Sequence, residues 1–152
     1  MNKDNIKLTF VKSAFTAKQE LQYASGGIKA GFPSPAQDYM DEAIDFNRDF
    51  IFHPECTFYA RCSGDSMIEA GINDGDLLVI DKLIEPKDGS IVVAFIEGEF
   101  TLKTLKIVKK GKQRRVFLMP ANPDFEPIEV DEYNDFRIWG VLLYCIKDFS
   151  KK

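Results

Sequence analysis

Cys56-Thr57-Phe58-Tyr59-Ala60-Arg61-Cys62-Ser63-Gly64-Asp65-Ser66-Met67-Ile68 is the run on which the fold turns. From Cys56 to Cys62 it alternates in side-chain character and reads as a strand. Met67-Ile68-Glu69-Ala70-Gly71-Ile72 follows, too short for a long helix and long enough for one turn. Ser66 therefore sits where a strand ends and a helical turn begins. There a hydroxyl stands clear of the sheet, beside backbone N–H groups with no internal partner. The competing reading is a plain cap on the turn by Asp65 or Ser66.

Downstream the pattern stays β. Strands are expected over 57–63, 77–81, 90–96, 99–108, 115–119, 128–130 and 136–147. Turn signals divide them: Asn73-Asp74-Gly75, Lys87-Asp88-Gly89, Glu97-Gly98, Lys110-Gly111-Lys112 and Asn122-Pro123. Short strands at hairpin spacing with little helix predict a mostly β fold, a compact antiparallel barrel or sandwich. Upstream, Ser34, Pro35 and Gln37 form a capping box that opens a short N-terminal helix. Tyr39, Met40, Ala43, Ile44 and Phe46 give that helix an apolar side, and Asn47 to Pro54 ends it. Residues 1–30 read as a flexible arm. Within it Ile6 to Val11 alternates weakly, enough for an edge strand, and Ala24-Ser25-Gly26-Gly27 is pliant.

The 152 residues suit one domain with some chain to spare, and 45% hydrophobic residues with 13 Phe supply a core. A net charge of −4 and a pI near 5.1 argue against a protein that binds bare nucleic acid on its own. No apolar run reaches membrane-spanning length and the start lacks a signal-peptide core, so a soluble, cytoplasmic protein is expected. Cys56, Cys62 and Cys145 are odd in number and lack the spacing of a zinc site. They read as small buried hydrophobes in a reducing compartment, and neither a metal nor a cofactor is expected. His53, the single histidine, reads as a strand-entry residue before Pro54. The run Lys109-Lys110-Gly111-Lys112-Gln113-Arg114-Arg115 is a hairpin tip, either a solvated turn or a contact for an acidic partner or a nucleic-acid backbone.

Lys103 lies in Glu99-Phe100-Thr101-Leu102-Lys103-Thr104-Leu105. With strand periodicity it points the same way as Thr101, Leu105 and Ile107. A lysine among apolar neighbours loses its proton more easily. Neutralising half of it near pH 7–8 costs ~3–4 kcal/mol of burial, a large cost for a residue without a task. A surface lysine on a hairpin is the alternative.

Several of these pieces recur together in one order. They are Ala30-Gly31-Phe32-Pro33-Ser34-Pro35-Ala36, Gly64-Asp65-Ser66-Met67-Ile68, Gly71-Ile72-Asn73-Asp74-Gly75-Asp76-Leu77-Leu78, Gly98-Glu99-Phe100-Thr101-Leu102-Lys103, and Pro120-Ala121-Asn122 with Pro127-Ile128. In these the chain resembles the LexA/UmuD-type serine–lysine self-cleaving proteins, from about Ala30 to the end. The resemblance implies that Ser66 is the nucleophile, Lys103 its base, and Ala30–Gly31 the bond cut. It divides the chain into a cleavable N-terminal arm, 1–30, and a serine–lysine peptidase domain, 31–152. Small Ala30 and Gly31 suit a backbone bending sharply into a site. Backbone N–H groups at Asp65 and Ser66 would form the oxyanion hole. A RecA–single-stranded DNA filament is implied as the promoter of self-cleavage, and a UmuC-type translesion polymerase as the partner of the product. A homodimer using the C-terminal strand is also implied. A repressor of the LexA or phage type is the alternative, and the first 29 residues are too few for its winged-helix DNA-binding domain. No sequence-specific DNA binding is therefore expected.

Overall fold

The structure, a computed structural model, describes residues 7–12, 20–23, 30–31 and 42–150. The described chain forms two units, one of Met1–Ser13 with Cys56–Lys152 and one of Ala14–Glu55.

The larger unit is one eight-stranded antiparallel sheet in the order β1-β4-β5-β10-β6-β7-β8-β9. Its strands are β1 Lys7–Lys12, β4 Thr57–Ser63, β5 Leu77–Asp81, β6 Ile91–Ile96, β7 Glu99–Lys110, β8 Gln113–Met119, β9 Ile128–Val130 and β10 Phe136–Ile146. The expected strands all appear, within two residues of the expected bounds. The weak alternation at 6–11 also becomes a strand, with β1 paired to β4 from Lys7↔Ser63 to Lys12↔Phe58. The sheet curls into a half-barrel. Phe10 on the first strand meets Phe100 of the sixth at 5.2 Å and Trp139 at 4.5 Å.

Two apolar clusters fill its two faces. One holds Ala60, Cys62, Met67, Ile72, Leu78, Ile80, Val93 and Leu102. The other holds Val92, Ala94, Leu105, Leu118 and Val141. Strand β6 contributes Val93 to the first and Val92 and Ala94 to the second. A strand buried on both faces has no polar side, hence its unbroken apolar sequence Ile91-Val92-Val93-Ala94-Phe95-Ile96. Hairpin β6–β7 turns on Glu97 and Gly98, both at positive φ, 49° and 83°. Glycine adopts that region freely. Glu97 is held there because its N–H donates to Asp135 O at 2.9 Å and its carboxylate accepts from Asn134 Nδ2 at 2.9 Å.

The smaller unit pairs β2 Glu20–Tyr23 with β3 Glu42–Asp45 in antiparallel register, Glu20↔Asp45 to Tyr23↔Glu42. The expected short helix is present as α1, Phe46–Asp49, and starts later than the capping box at Ser34 implies. Ala43 and Ile44, expected on its apolar side, belong to β3 instead. Pairing with Glu20–Tyr23, about twenty residues away in sequence, overrides local helix propensity there. Asp45 then caps α1, its carboxylate accepting from Asn47 N–H at 3.0 Å. Residues 33–41, with the rest of that expected helix, lie outside the described residues.

Candidate active site

Strand β4 delivers Ser66. After Ser63 the chain turns at Gly64, whose φ of 105° favours glycine. Gly64 N–H donates to Asp74 Oδ1 at 2.9 Å, and Cys62 exchanges backbone bonds of 2.8 Å with Gly75 and Asp76. Met67, fully buried in the first core cluster, anchors the far side. The turn that follows is a 3-10 helix, Ile68–Ala70, closed by left-handed Gly71. No side chain caps it. The Ser66 hydroxyl is therefore not spent on capping, and the competing sequence reading falls away.

Lys103 arrives from β7, paired opposite Val92. Only 1% of it is exposed, and Ser66 is at 0%. Lys103 Nζ donates to Ser66 Oγ at 3.2 Å, Thr101 Oγ1 at 2.8 Å and Leu102 O at 3.2 Å. Burial pushes the Lys103 amine down to about 8 from an ordinary 10.5, opposed only in part by neighbouring Cys62. Cys62 itself is pushed up to about 12, by burial first and then by the charge of Asp76.

A third segment backs the serine. Asn122, 6% exposed, donates from Nδ2 to Asp65 O at 2.9 Å and accepts at Oδ1 from Asp124 N–H at 3.0 Å. Ala121 N–H donates to Ser66 O at 2.8 Å, and Ala121 O accepts from Glu69 N–H at 2.8 Å. In the sequence, Asn122-Pro123 reads as a turn signal, and Asn122 and Thr101 lie in stretches that carry the family resemblance without a role of their own. A buried asparagine inside a Pro-Ala-Asn-Pro loop was the available cue.

The structure thus brings Ser66 and Lys103 together, with Asp65 beside them. Ala30 and Gly31 form an exposed bend and belong to the smaller unit. His53 belongs to that unit too. Of the cysteines, all free, only Cys62 is fully buried. Cys56 lies in a 3-10 turn, Pro54–Cys56, ahead of β4 and is half-buried, as is Cys145. Cys145 is no mere hydrophobe, because its thiol donates to Asp76 Oδ2 at 3.2 Å. The same carboxylate pairs with Lys147. Burial alone would raise Asp76, but its bonds from Lys147, the Asn73 N–H and Cys145 outweigh that and hold it below the ordinary range. At the basic hairpin, Arg115 makes a two-pronged pair with Glu129 at 2.8 and 2.9 Å. The shallow groove beside it is lined by Lys106, Val108, Lys110 and Phe117 and shares no residue with the serine site.

Residues 22–143 match the family described as Peptidase S24-like. ImpA of Escherichia coli is 52% identical over 126 residues, covering 78% of this chain and 77% of that protein. MucA of Escherichia coli is 42% identical over 120 residues, with 78% and 79% covered. The LexA repressor of Stenotrophomonas maltophilia is 42% identical over 120 residues, which span 79% of this chain and 54% of the repressor. Fold and match together define the class, a mostly β peptidase. The chain belongs to the peptidase S24-like family and stands with its UmuD-like members.

Proposed function

We propose that this is a UmuD-like protein of the bacterial SOS response that cuts its own Ala30–Gly31 bond, with Ser66 as nucleophile and Lys103 as base. The observation that carries the reading is the 3.2 Å contact between Lys103 Nζ and Ser66 Oγ in a buried site. Hydrogen-bond bookkeeping supports it. A neutral amine has two N–H groups and one lone pair. Leu102 O can only accept, and Thr101 Oγ1 takes the second N–H, so the lone pair is left for the Ser66 proton. With the amine at about 8, about a tenth of the molecules carry the base form at pH 7.

In this reading Ser66 Oγ attacks the Ala30 carbonyl carbon and its proton passes to Lys103 Nζ. The C–N bond to Gly31 breaks, and the Lys103 ammonium returns the proton to the leaving Gly31 amine. Water, deprotonated by the neutral lysine, then releases Ala30 as a carboxylate. The Asp65 and Ser66 N–H groups stabilise the oxyanion. The RecA–single-stranded DNA filament acts by favouring the conformer in which the Ala30–Gly31 segment occupies the site, and it supplies no catalytic group. The product beginning at Gly31 works in the cytoplasm as a homodimer and accessory subunit of a UmuC-type translesion polymerase.

Incubation with an activated RecA filament, followed by mass measurement, tests this. Two fragments meeting at Ala30 and Gly31 are expected. A new N-terminus at Gly27 would sink the proposed register. A repressor of the LexA type is the second reading. The higher identity to ImpA, 52% against 42% for the LexA repressor, favours the first. Selective binding of this chain to one duplex sequence would reverse that preference.

A further inference from the structure

Ser66 is gripped through its backbone by a segment more than fifty residues away in sequence. A peptide unit is planar and trans, so its C=O and N–H point in opposite directions. Holding the oxygen fixes the direction of the hydrogen. The Asp65 carbonyl accepts from Asn122 Nδ2 at 2.9 Å, and that peptide's N–H belongs to Ser66. On its other side, Ser66 O accepts from Ala121 N–H at 2.8 Å. Both peptide units flanking the serine are therefore clamped by the loop after β8, the first by a side chain and the second by backbone. Among the described residues no carbonyl or side chain accepts from Ser66 N–H. Asn122 is itself locked. It is 6% exposed, and its Oδ1 accepts from Asp124 N–H at 3.0 Å, which fixes which end of the amide faces Asp65. Among the described residues the only other bond to Asp65 O comes from Ile68 N–H at 3.3 Å, within the same turn.

We propose that Asn122 is a positioning residue for self-cleavage: by donating to the Asp65 carbonyl it aims the Ser66 N–H at the oxyanion and holds the serine in attacking register against Lys103. This rests on the serine–lysine reading given above. Asn122 touches neither the scissile bond nor Lys103, so its effect falls on transition-state stabilisation and not on protonation of the base. Removing one oxyanion donor costs about 10²–10³ in rate. Misaiming one costs the same order.

The test is unassisted self-cleavage of the full chain from pH 7 to 10, comparing wild type, Asn122→Ala, Asn122→Asp and Ser66→Ala. Asn122→Asp keeps the size and shape and replaces the donor by an acceptor facing a carbonyl, so it separates aim from packing. Both Asn122 variants are expected to be slower by about a hundredfold at every pH. In Asn122→Ala the inflection near pH 8 stays in place, because the Lys103 surroundings keep their charge, whereas the new carboxylate of Asn122→Asp acts to raise it. Cleavage by Asn122→Asp within threefold of wild type would overturn the proposal. So would an inflection displaced by a unit or more in the uncharged Asn122→Ala, which would assign Asn122 to the base. If Asn122→Ala unfolds, the isostere still decides. Ser66→Ala separates the two levels. Should it cleave, the serine–lysine reading fails. Should it be silent while both Asn122 variants cleave normally, only the clamp fails.

Discussion

At the scale of single residues, the proposed role of the buried lysine has consequences for both rate and stability. If Lys103 is the base for Ser66, only its neutral form accepts the proton, so self-cleavage without any filament should rise about tenfold per pH unit below the folded pKa and level off above about 8. Ser66→Ala and Lys103→Ala should each abolish it, and the double variant should be no worse than either, because such a pair acts as a unit. A profile that is flat from pH 6 to 9 would exclude a neutral-lysine base. The same amine sets a pH dependence of folding. Its pKa falls from 10.5 in the unfolded chain to about 8 in the folded one. Between those values the unfolded chain binds more protons, so this residue's contribution to stability grows as pH rises from 8 to 10.5. The span corresponds to about 3 kcal/mol. In a Ser66→Ala background, Lys103→Met should therefore be more stable than the lysine form at pH 7, and the difference should shrink towards pH 10.5. Urea titrations at the two pH values measure it, and a pH-independent difference would contradict the depressed pKa.

How much of the site was legible follows from the same residues. Ser66 could be placed at a strand end because β4 alternates up to it. Lys103 could be given a buried face because its neighbours at even spacing are apolar. That the two meet, 37 positions apart, came from the resemblance, since no local pattern encodes the distance between strands β4 and β7. The contact of Asn122 with the serine loop was hidden for a related reason. An asparagine before proline has an ordinary use in turns, and its second use depends on where the loop lands.

At the scale of elements, the strands from Thr57 onward were legible because Gly- and Asn-bearing turns punctuate them and their hairpins are local. The failure at Ala43 and Ile44 has the opposite cause. A capping box and an apolar side are local signals, whereas β3 exists through its pairing with β2. The place of β10 was likewise hidden. Although last in sequence, it lies between β5 and β6 at the centre of the sheet. That insertion needs a close approach. A Cβ on Gly140 would stand 2.6 Å from Ile80 Cγ2 and 3.3 Å from Asp81 O. Ile80 is fully buried and its methyl is fixed on a branched carbon, so neither neighbour gives way easily. The register of β10 shifts beside this glycine, between Ile138 and Gly140. Gly140→Ala should destabilise the protein by about 1–3 kcal/mol through overpacking. A lower urea midpoint with an unchanged slope would show it, and an unchanged midpoint would mean that β5 and β10 separate at no cost.

At the scale of the whole molecule, the strand pattern bears on both assembly and processing. Strand β6 pairs with β10 only from Phe136 to Val141 and β5 only from Val141 to Ile146, so each edge of β10 is filled over half its length, and a dimer built on the C-terminal strand has the open half-edges as well as the exposed end that carries Phe149. Processing meets a second consequence of pairing. If the chain is cut at Ala30–Gly31, both strands upstream of the cut are still bonded to strands downstream of it. β1 holds six residue pairs with β4, and β2 holds four with β3. Phe10 adds ring contacts to Phe100 and Trp139, and Leu8 packs on the first core cluster. Cutting one peptide bond removes none of these contacts. Fragment 1–30 should therefore stay bound after cleavage, and its release should be a separate, slower event that bares the edge of β4. Placing a site for a sequence-specific protease at 30–31 in a Ser66→Ala chain isolates this step from self-cleavage. After nicking, the fragment should co-elute with 31–152 on size exclusion at micromolar concentration and separate only in denaturant. Phe10→Ala should weaken the complex by about tenfold or more, since a packed aromatic side chain is lost. Immediate, complete elution of the free fragment from the unsubstituted nicked protein would show that the arm is held by the covalent chain alone.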